Sequence, residues 1–303
     1  MLATLQMLGI EITWDPRIAN FGPFELTWHG VFTAVGIAVG VFLAAWIGRR
    51  QGITEDDAYS VALVGVPCGI IGARAMFVLE NRIRFEDQWL DVLRINEGGI
   101  TVYGAIIGGV LGACIYGWIR KMPVLRGLDA AGFGILAGMA IGRIGDLING
   151  EHIARVTGLP WGVAYSDPDS PGFSVGAGGL VYRHPATTYE LIGDVLILGI
   201  MWLLFMRFWK HWPGITFFSG VILYSAMRFG VSYLRIDSCP TLESCPDYVV
   251  SNWMTFPQVV SIVTFAVGCL GLAYSIATGP RAAPDEVQTG AAAPPQRTPA
   301  RAT

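Results

Sequence analysis

Seven apolar segments, each long enough to cross a membrane, constrain this chain more than any other feature. A membrane-spanning helix needs about 20 mostly apolar residues. Hydrophobic residues make up 53% of the 303 residues and charged residues only 14%, against about 25% charged in ordinary soluble domains. We therefore predict an all-α integral membrane protein with seven transmembrane helices. The predicted helices cover residues 29–48, 57–80, 100–119, 128–149, 188–209, 215–235 and 256–277.

Lys and Arg residues near the ends of these segments predict the orientation, because they concentrate on the cytoplasmic side. The basic residues that follow the first, third, fifth and seventh segments all fall on one side. We therefore expect the amino terminus outside and the carboxyl terminus in the cytoplasm, although three arginines between the second and third segments weaken the bias. The residues on the cytoplasmic side are Arg49, Arg50, Arg120, Lys121, Arg126, Arg207, Lys210 and Arg281, and the three arginines are Arg82, Arg84 and Arg94.

The polar segments predict the domain organisation. We expect a single membrane domain over residues 1–277. Residues 151–186 are too polar and too rich in Gly and Pro to span, so they are predicted to form an external cap, and residues 236–255 a second external loop. Residues 278–303 are rich in Ala, Pro, Thr and Arg and cannot bury enough apolar surface to fold, which predicts a disordered cytoplasmic tail.

Cys239 and Cys245 lie in the second external loop, where an oxidising compartment permits a disulfide between them. No further Cys or His lies near them to complete four metal ligands, and we expect no metal site and no cofactor. The net charge is −3 and there is no basic tract, so we do not expect nucleic acid as a partner.

The segment from Gly142 to Glu151 carries charges into the fourth apolar segment. Ionisable residues inside a membrane segment cost a few kcal/mol and usually mark a functional site. At helical spacing Arg143, Asp146 and Gly150 share a face, with Asn149 beside them. The alternative interpretation is that Arg143 and Asp146 form an ion pair that only neutralises their own charges.

Polar residues from all seven segments are predicted to converge at the depth of this face, in the outer half of the membrane. Each has an alternative role: arginines such as Arg74 and Arg235 can extend to the headgroups, and the histidines and Tyr103 can be interfacial residues. A cluster of arginines suits a phosphate group, for which guanidinium supplies planar, forked donors, and a phospholipid headgroup is the nearest candidate. The converging residues are His29, Arg74, Glu97, Tyr103, Arg143, Asp146, Asn149, Glu151, His184, Tyr189, Glu190, Arg228, Ser232, Arg235 and Gln258.

The run Gly142-Arg143-Ile144-Gly145-Asp146-Leu147-Ile148-Asn149-Gly150-Glu151 resembles the signature of the bacterial prolipoprotein diacylglyceryl transferases. The resemblance runs from about Pro23 to Gln258 and implies a seven-span enzyme with its amino terminus outside. Further motifs in the same order support it: Trp28-His29-Gly30, Gly72-Ala73-Arg74, Glu97-Gly98-Gly99, Tyr103-Gly104, Gly108, Asp129, His184-Pro185, Tyr189-Glu190, Arg228-Phe229 and Arg235.

The resemblance implies an enzyme at the outer face of the bacterial plasma membrane. It would move a diacylglyceryl group from phosphatidylglycerol to the lipobox cysteine thiol of prolipoprotein signal peptides and release glycerol phosphate, with both substrates entering from the membrane lipid. Arg143 is then the candidate for the headgroup phosphate, and Arg228 for the leaving group or the thiolate. The implied catalytic residues are Arg143, Arg228, Tyr103 and His29. The implied substrate-binding residues are Arg74, Glu97, Asp146, Asn149, Gly150, Glu151, His184, Tyr189, Glu190 and Arg235.

Five positions depart from the family pattern. Tyr103 replaces the usual His, and since a phenol with a pKa of ~10 is a poor base, His29 can supply the imidazole from another helix. The other departures are His29 for Tyr, Asp146 for Asn, Ala154 for Gly and Ser232 for an acidic residue.

Two alternatives to the transferase remain open. One is a divergent paralogue with another acceptor or no activity, which the five departures motivate. The other is a lipid-binding or transport membrane protein. A transporter needs a polar path across the whole bilayer, whereas the charges here gather in the outer half.

Overall fold

The computed structural model describes residues 9–22, 24–80, 85, 89–93, 99, 101–176, 178–236, 248–250 and 254–279. Glu97, Cys239, Cys245 and the tail after Gly279 lie outside the described residues. The role of Glu97, the disulfide and the disorder of the tail therefore stay predictions.

Seven helices of 18 to 26 residues carry the described part of the chain. Each coincides with one of the seven predicted segments, and the prediction of helices there is confirmed. The largest difference is that the fourth helix begins at Val124, ahead of the predicted start at residue 128. The helices are α1 Trp28–Arg50, α2 Glu55–Glu80, α3 Val102–Ile119, α4 Val124–Asn149, α5 Ala186–Phe208, α6 Ile215–Ser232 and α7 Phe256–Thr278.

Six of these helices are long and apolar enough to cross a membrane, and α3 is a shorter apolar helix over Tyr103–Ile119. Their outer surfaces expose large aliphatic side chains, among them Leu63, Leu203 and Leu270, each at least 70% exposed. A surface of this kind suits lipid rather than water, and helices satisfy their own backbone groups there. The chain is therefore a multi-pass membrane protein.

Close contact between α1 and α4 depends on glycine. A Cβ atom added to Gly36 would lie 2.6 Å from the carbonyl oxygen of Gly138, and one added to Gly138 would lie 2.9 Å from that of Gly36. Small residues let membrane helices approach this closely. The packing brings the start of α1 against the end of α4, where His29 and Asp146 lie.

The opposite end of the bundle is held by Asp129, on α4. Its two carboxylate oxygens accept hydrogen bonds from the backbone N–H groups of Gly214 (2.7 Å) and Phe217 (2.9 Å) at the start of α6. These N–H groups have no partner within their own helix. Asp129 therefore caps α6 and fixes it against α4. Between the two ends, Phe133, Met201 and Phe205 form a buried core between α4 and α5.

Short strands, which the sequence analysis did not predict, precede α1 and interrupt the loops. The first strand pairs in parallel with the fourth, which joins the residues before α1 to the loop between α4 and α5. Runs of two to five residues are too short to show the two-residue period of a strand. The strands are β1 Ile10–Ile12, β2 Arg17–Phe21, β3 Phe24–Thr27, β4 Val163–Tyr165, β5 Val175–Gly176, β6 Gly179–Leu180, β7 Tyr248–Val250 and β8 Met254–Thr255. The antiparallel pairs are β2 with β3, β5 with β6 and β7 with β8.

The loop between α4 and α5 is attached to the ends of α4 and α6. Tyr165 Oη donates a hydrogen bond to the carbonyl of Leu147 (2.7 Å), and Ser170 Oγ donates to that of Asn149 (2.6 Å). Ala154 forms a β-bridge with Arg235. The loop therefore covers the end of the bundle at which the predicted site residues lie.

Candidate functional site

Glu190 lies at the centre of the candidate site. It is on the second turn of α5, and its carboxylate contacts arginines from α4, α6 and the residues after α6. Oε2 lies 2.9 Å from Nη2 of Arg143, and Oε1 accepts hydrogen bonds from Arg235 Nη1 (3.2 Å) and from Arg228 Nη1. All four side chains are less than 10% exposed. Removing one partner of such a buried group would leave an uncompensated charge.

Asp146 is the second carboxylate of the site, one turn after Arg143 on α4. Its Oδ2 lies 3.1 Å from Arg143 Nη1 and 3.5 Å from His152 Nε2, and its Oδ1 lies 2.6 Å from His29 Nδ1. The predicted common face of Arg143 and Asp146 is therefore present. The two are not an isolated pair, because Arg143 bridges Asp146 to Glu190.

His152 closes the set of contacts into a ring. Its Nδ1 lies 2.5 Å from Nη2 of Arg235. Because guanidinium only donates, Nδ1 of His152 accepts, and the neutral imidazole carries its proton on Nε2, towards Asp146. We call these five residues, Arg143, Asp146, His152, Arg235 and Glu190, the charged ring. His152 was not among the predicted site residues, although it directly follows Glu151, which was.

Tyr103 and His29 extend the charged ring to α3 and α1. Arg228 Nε donates a hydrogen bond to Tyr103 Oη at 3.4 Å, and His29 contacts Asp146. The His29 side chain is 46% exposed, whereas that of Asp146 is 6% exposed. Five helices therefore contribute to one continuous set of polar contacts, and His29 is its accessible end.

The turn after α4 holds the residues that follow Asp146. Gly150 adopts a left-handed conformation with φ 81°, which favours glycine at a helix end, and a Cβ atom there would lie 3.0 Å from the backbone nitrogen of Gly172. Asn149 Oδ1 accepts from the backbone N–H of His29 at 3.3 Å, and the N–H of Glu151 donates to the carbonyl of Asp146 at 2.9 Å. The turn therefore fixes α1 and Asp146 together.

A small cavity borders this turn on the side of the loop between α4 and α5. Glu151, His152, Arg183 and Thr187 contribute polar groups to its lining. Tyr165 also lines it, and burial raises the pKa of Tyr165 above its ordinary value, with the negative charges of Asp146 and Glu151 adding to the effect. Tyr165 therefore stays protonated and keeps its hydrogen bond to the end of α4.

His184 and Tyr189 form a separate cluster with Trp161, whose Nε1 donates to Tyr189 Oη at 2.8 Å. His184 Nδ1 lies 3.4 Å from the same hydroxyl. Burial lowers the pKa of His184, which favours the neutral imidazole. No contact that the structure describes joins this cluster to the side chains of the charged ring. It borders the site through His184, which lines the cavity.

Arg74, late in α2, contacts backbone carbonyls rather than the carboxylates of the charged ring. Its Nε donates to Val92 (2.8 Å), its Nη1 to Gly99 (2.9 Å) and its Nη2 to Asp91 (2.5 Å). Arg74 therefore holds the backbone of these three residues between α2 and α3 against the end of α2.

Several buried polar atoms of the site lack a hydrogen-bond partner among the described residues. They are Nε of Arg143 and both carboxylate oxygens of Asp194. The sequence analysis did not single out Asp194, although a carboxyl group within an apolar segment was a signal. An unpartnered buried donor is costly, so Arg143 Nε is suited to an oxygen atom of a ligand.

The balance of charge defines the ligand that the site can accept. Three arginines, Arg143, Arg228 and Arg235, face the two carboxylates of the charged ring. Forked guanidinium donors of this kind suit a phosphate or phosphodiester group.

Comparisons with known proteins agree with this chemistry. The family model described as prolipoprotein diacylglyceryl transferase matches residues 16–274. A protein of Clostridioides difficile named phosphatidylglycerol–prolipoprotein diacylglyceryl transferase is 33% identical over 250 residues, which cover 82% of this chain and 91% of the relative. Proteins of the same name from a Nostoc species (29% identical; 86% and 88% covered) and Thermotoga maritima (32%; 75% and 77%) are also similar. The chain therefore belongs to the prolipoprotein diacylglyceryl transferase family.

Proposed function

We propose that the chain transfers a diacylglyceryl group from phosphatidylglycerol to the lipobox cysteine thiol of prolipoprotein signal peptides. Membership of the family supports the reaction. The observation that carries the proposal is the buried arrangement of Arg143, Arg228 and Arg235 around Glu190, because phosphatidylglycerol presents a phosphodiester that such a group of donors can bind. The alternatives, a paralogue with another acceptor or a non-catalytic lipid-binding protein, become outcomes of the test below.

Arg143 is the proposed ligand of the headgroup phosphate. Its Nε has no hydrogen-bond partner among the described residues, and its two Nη atoms are held by Asp146 and Glu190. A fixed guanidinium binds an oxyanion without reorganising first. Asn149, Gly150 and Glu151 shape the adjacent turn and border the bound headgroup.

Arg228 is the proposed partner of the leaving group. In the reaction the cysteine sulfur forms a bond to the carbon of the diacylglyceryl group that carries the phosphate. The bond between that carbon and the phosphate oxygen breaks. The electron pair of that bond leaves with the phosphate of glycerol phosphate, and the thiol proton passes to a base. Guanidinium groups in a dry site stabilise the negative charge that develops on the phosphate oxygen. Tyr103 contacts Arg228, so it stays a candidate for this step.

The remaining predicted residues border the substrates. His184 lines the cavity next to the charged ring, with Tyr189 in contact behind it. Arg74 fixes the segment between α2 and α3, in which Glu97 lies. We propose that these residues shape the surface along which the lipid and the signal peptide enter from the membrane.

The proposed topology has seven spans, including α3, in the bacterial plasma membrane. The amino terminus, the cap over residues 151–186 and the loop over 236–255 lie outside, and the single domain over 1–277 is followed by a cytoplasmic tail over 278–303. The basic residues at the ends of the spans support this orientation. The charged ring lies at the other end of the bundle, beside the starts of α1 and α5 and the ends of α4 and α6. The active site therefore faces outward.

Labelling with a membrane-impermeant thiol reagent tests the orientation. In intact cells without an outer membrane barrier, Asp167→Cys, in the cap, is expected to gain label relative to the parent protein. Lys121→Cys, after α3, is expected to gain label only after permeabilisation. The reverse pattern would overturn the orientation without affecting the chemistry.

The reaction is tested with protein purified in detergent and given phosphatidylglycerol and a lipobox peptide. We expect mass spectrometry to detect a peptide with a thioether-linked diacylglyceryl group, together with glycerol phosphate. The control peptide has serine in place of the lipobox cysteine and is expected to stay unmodified. Lipid binding without any product would favour a paralogue with another acceptor or none.

A further inference from the structure

The thiol proton needs an acceptor, and the structure offers two candidate side chains. Tyr103 accepts a hydrogen bond from Arg228 Nε, but a phenol is a poorer general base than an imidazole. His29 has an imidazole, which accepts a proton in the neutral range. The two residues lie at opposite ends of the contacts that run through the charged ring.

The contact between His29 and Asp146 determines how the imidazole is protonated. Nδ1 of His29 lies 2.6 Å from Oδ1 of Asp146. The same carboxylate already receives Arg143 at Oδ2 and lies next to His152 Nε2, and an ionised carboxylate only accepts. His29 therefore donates from Nδ1, and the lone pair of its neutral ring is on Nε2.

The side chain of His29 is accessible. The side chain is 46% exposed, and Nε2 makes no hydrogen bond to any residue that the structure describes. His29 lies on the first turn of α1. A thiol that approaches the phosphate bound at Arg143 from outside the bundle can therefore reach Nε2.

We propose that His29 is the general base that takes the thiol proton at Nε2, and that Asp146 is its positioning residue. This inference rests on the proposed function. Asp146 holds the ring in the Nδ1–H tautomer and stabilises the imidazolium that forms, as the carboxylate does in a Ser-His-Asp triad. The charged groups that face His29 are Asp146 and Arg143 from α4 and Glu151 from the following turn.

The proposal explains three departures from the family pattern together. The imidazole is absent at Tyr103 and present at His29, and the amide expected at position 146 is a carboxylate. The structure brings His29 and Asp146 into direct contact, whereas their separation in sequence is 117 residues. A carboxylate orients an imidazole and stabilises its charged form better than a neutral amide does.

The first test compares His29→Gln with His211→Gln, a control histidine in the turn between α5 and α6, at the opposite end of the bundle. At pH 7 we expect the kcat of His29→Gln to fall about 100-fold or more, the typical contribution of a general base, with the KM for phosphatidylglycerol unchanged. His211→Gln is expected to keep wild-type activity. The defect is expected to shrink towards pH 9, because a thiol with a pKa of ~8.5 then ionises without a base. A His29→Gln variant that keeps more than a tenth of the activity, or a defect that is equal at both pH values, would overturn the proposal.

The second test is independent of turnover. Nitrogen-15 histidine NMR of the protein in detergent, assigned with His29→Gln, is expected to show His29 as the Nδ1–H tautomer and to lose that preference in Asp146→Ala. The Nε2–H tautomer in the wild-type protein would contradict the positioning role of Asp146. If the wild-type protein forms no product, the proposed function fails, and the tautomer still decides whether His29 and Asp146 form the inferred pair.

The third test restores the family pattern. A variant that combines His29→Tyr, Tyr103→His and Asp146→Asn is expected to recover at least tenfold over His29→Tyr alone, because an imidazole is again available at the site. Recovery by Asp146→Asn with His29→Tyr, without an imidazole at position 103, would overturn the assignment of His29 as the base.

Discussion

Arg143 Nη2 lies 2.9 Å from Glu190 Oε2, and this ion pair joins α4 to α5 within the protein interior. The same guanidinium contacts Asp146 one turn along its own helix. Arg143 therefore links Glu190, which contacts three arginines, to Asp146, which contacts His29. This double contact places the proposed phosphate site next to the proposed base.

Arg143→Lys is expected to lose activity almost as fully as Arg143→Ala, by about 100-fold or more. The lysine ammonium keeps the charge but cannot contact Asp146, Glu190 and a phosphate together, because it lacks the planar fork of guanidinium. The transfer assay with purified protein measures the effect. Arg126→Ala, at the opposite end of α4, is the control and is expected to stay active. Near-normal activity in Arg143→Lys would show that only charge is needed.

Glu190→Gln is expected to destabilise the protein by about 3–5 kcal/mol, because it removes the charge that Arg143, Arg228 and Arg235 share in a buried site. Thermal unfolding in detergent is the measurement. The control is Glu55→Gln, which removes an exposed partner of Arg49 and is expected to change the midpoint little, as is typical of surface pairs. An unchanged midpoint in Glu190→Gln would mean that the arginines do not depend on this carboxylate.

Gly145→Ala is expected to separate α1 from α4 beside Asp146. A Cβ atom there would lie 2.9 Å from the Cα atom of His29 and 2.9 Å from the Cβ atom of Phe32, and such overpacking costs about 1–3 kcal/mol. We expect both the unfolding midpoint and the transfer rate to fall. Gly142→Ala is a matched control, because a Cβ atom at Gly142 would contact no described residue within 4 Å beyond its own stretch of helix. Equal behaviour of the two variants would argue against close packing at Gly145.

Asp129→Ala is expected to lower stability while leaving the kcat of the folded protein unchanged. It removes the acceptors of the Gly214 and Phe217 N–H groups, and loss of a helix cap typically costs about 1–2 kcal/mol. The residue lies at the end of the bundle away from the charged ring. Parallel unfolding and transfer measurements test it, with the exposed Asp56→Ala as the control. A large loss of kcat in protein that is fully folded would contradict a purely structural role.

The sequence by itself determined the seven helices and the polar face of the fourth. Apolar segments of about 20 residues can satisfy their backbone groups in lipid only as helices, and a helix fixes which residues three or four positions apart share a face. Arg143 with Asp146 was predicted on that basis, and the two side chains are in contact in the structure.

Only the tertiary structure decided that the arginines of the site share the carboxylate of Glu190. The rotation and depth of each helix depend on packing, such as the contact of Gly36 with Gly138, and no local period encodes them. The sequence predicted that Arg74 and Glu190 converge at one site. In the structure Arg74 contacts backbone carbonyls, whereas Glu190 lies among three arginines. The contacts of His152 with Asp146 and Arg235 likewise exist only because the turn after α4 folds back beside the end of α6.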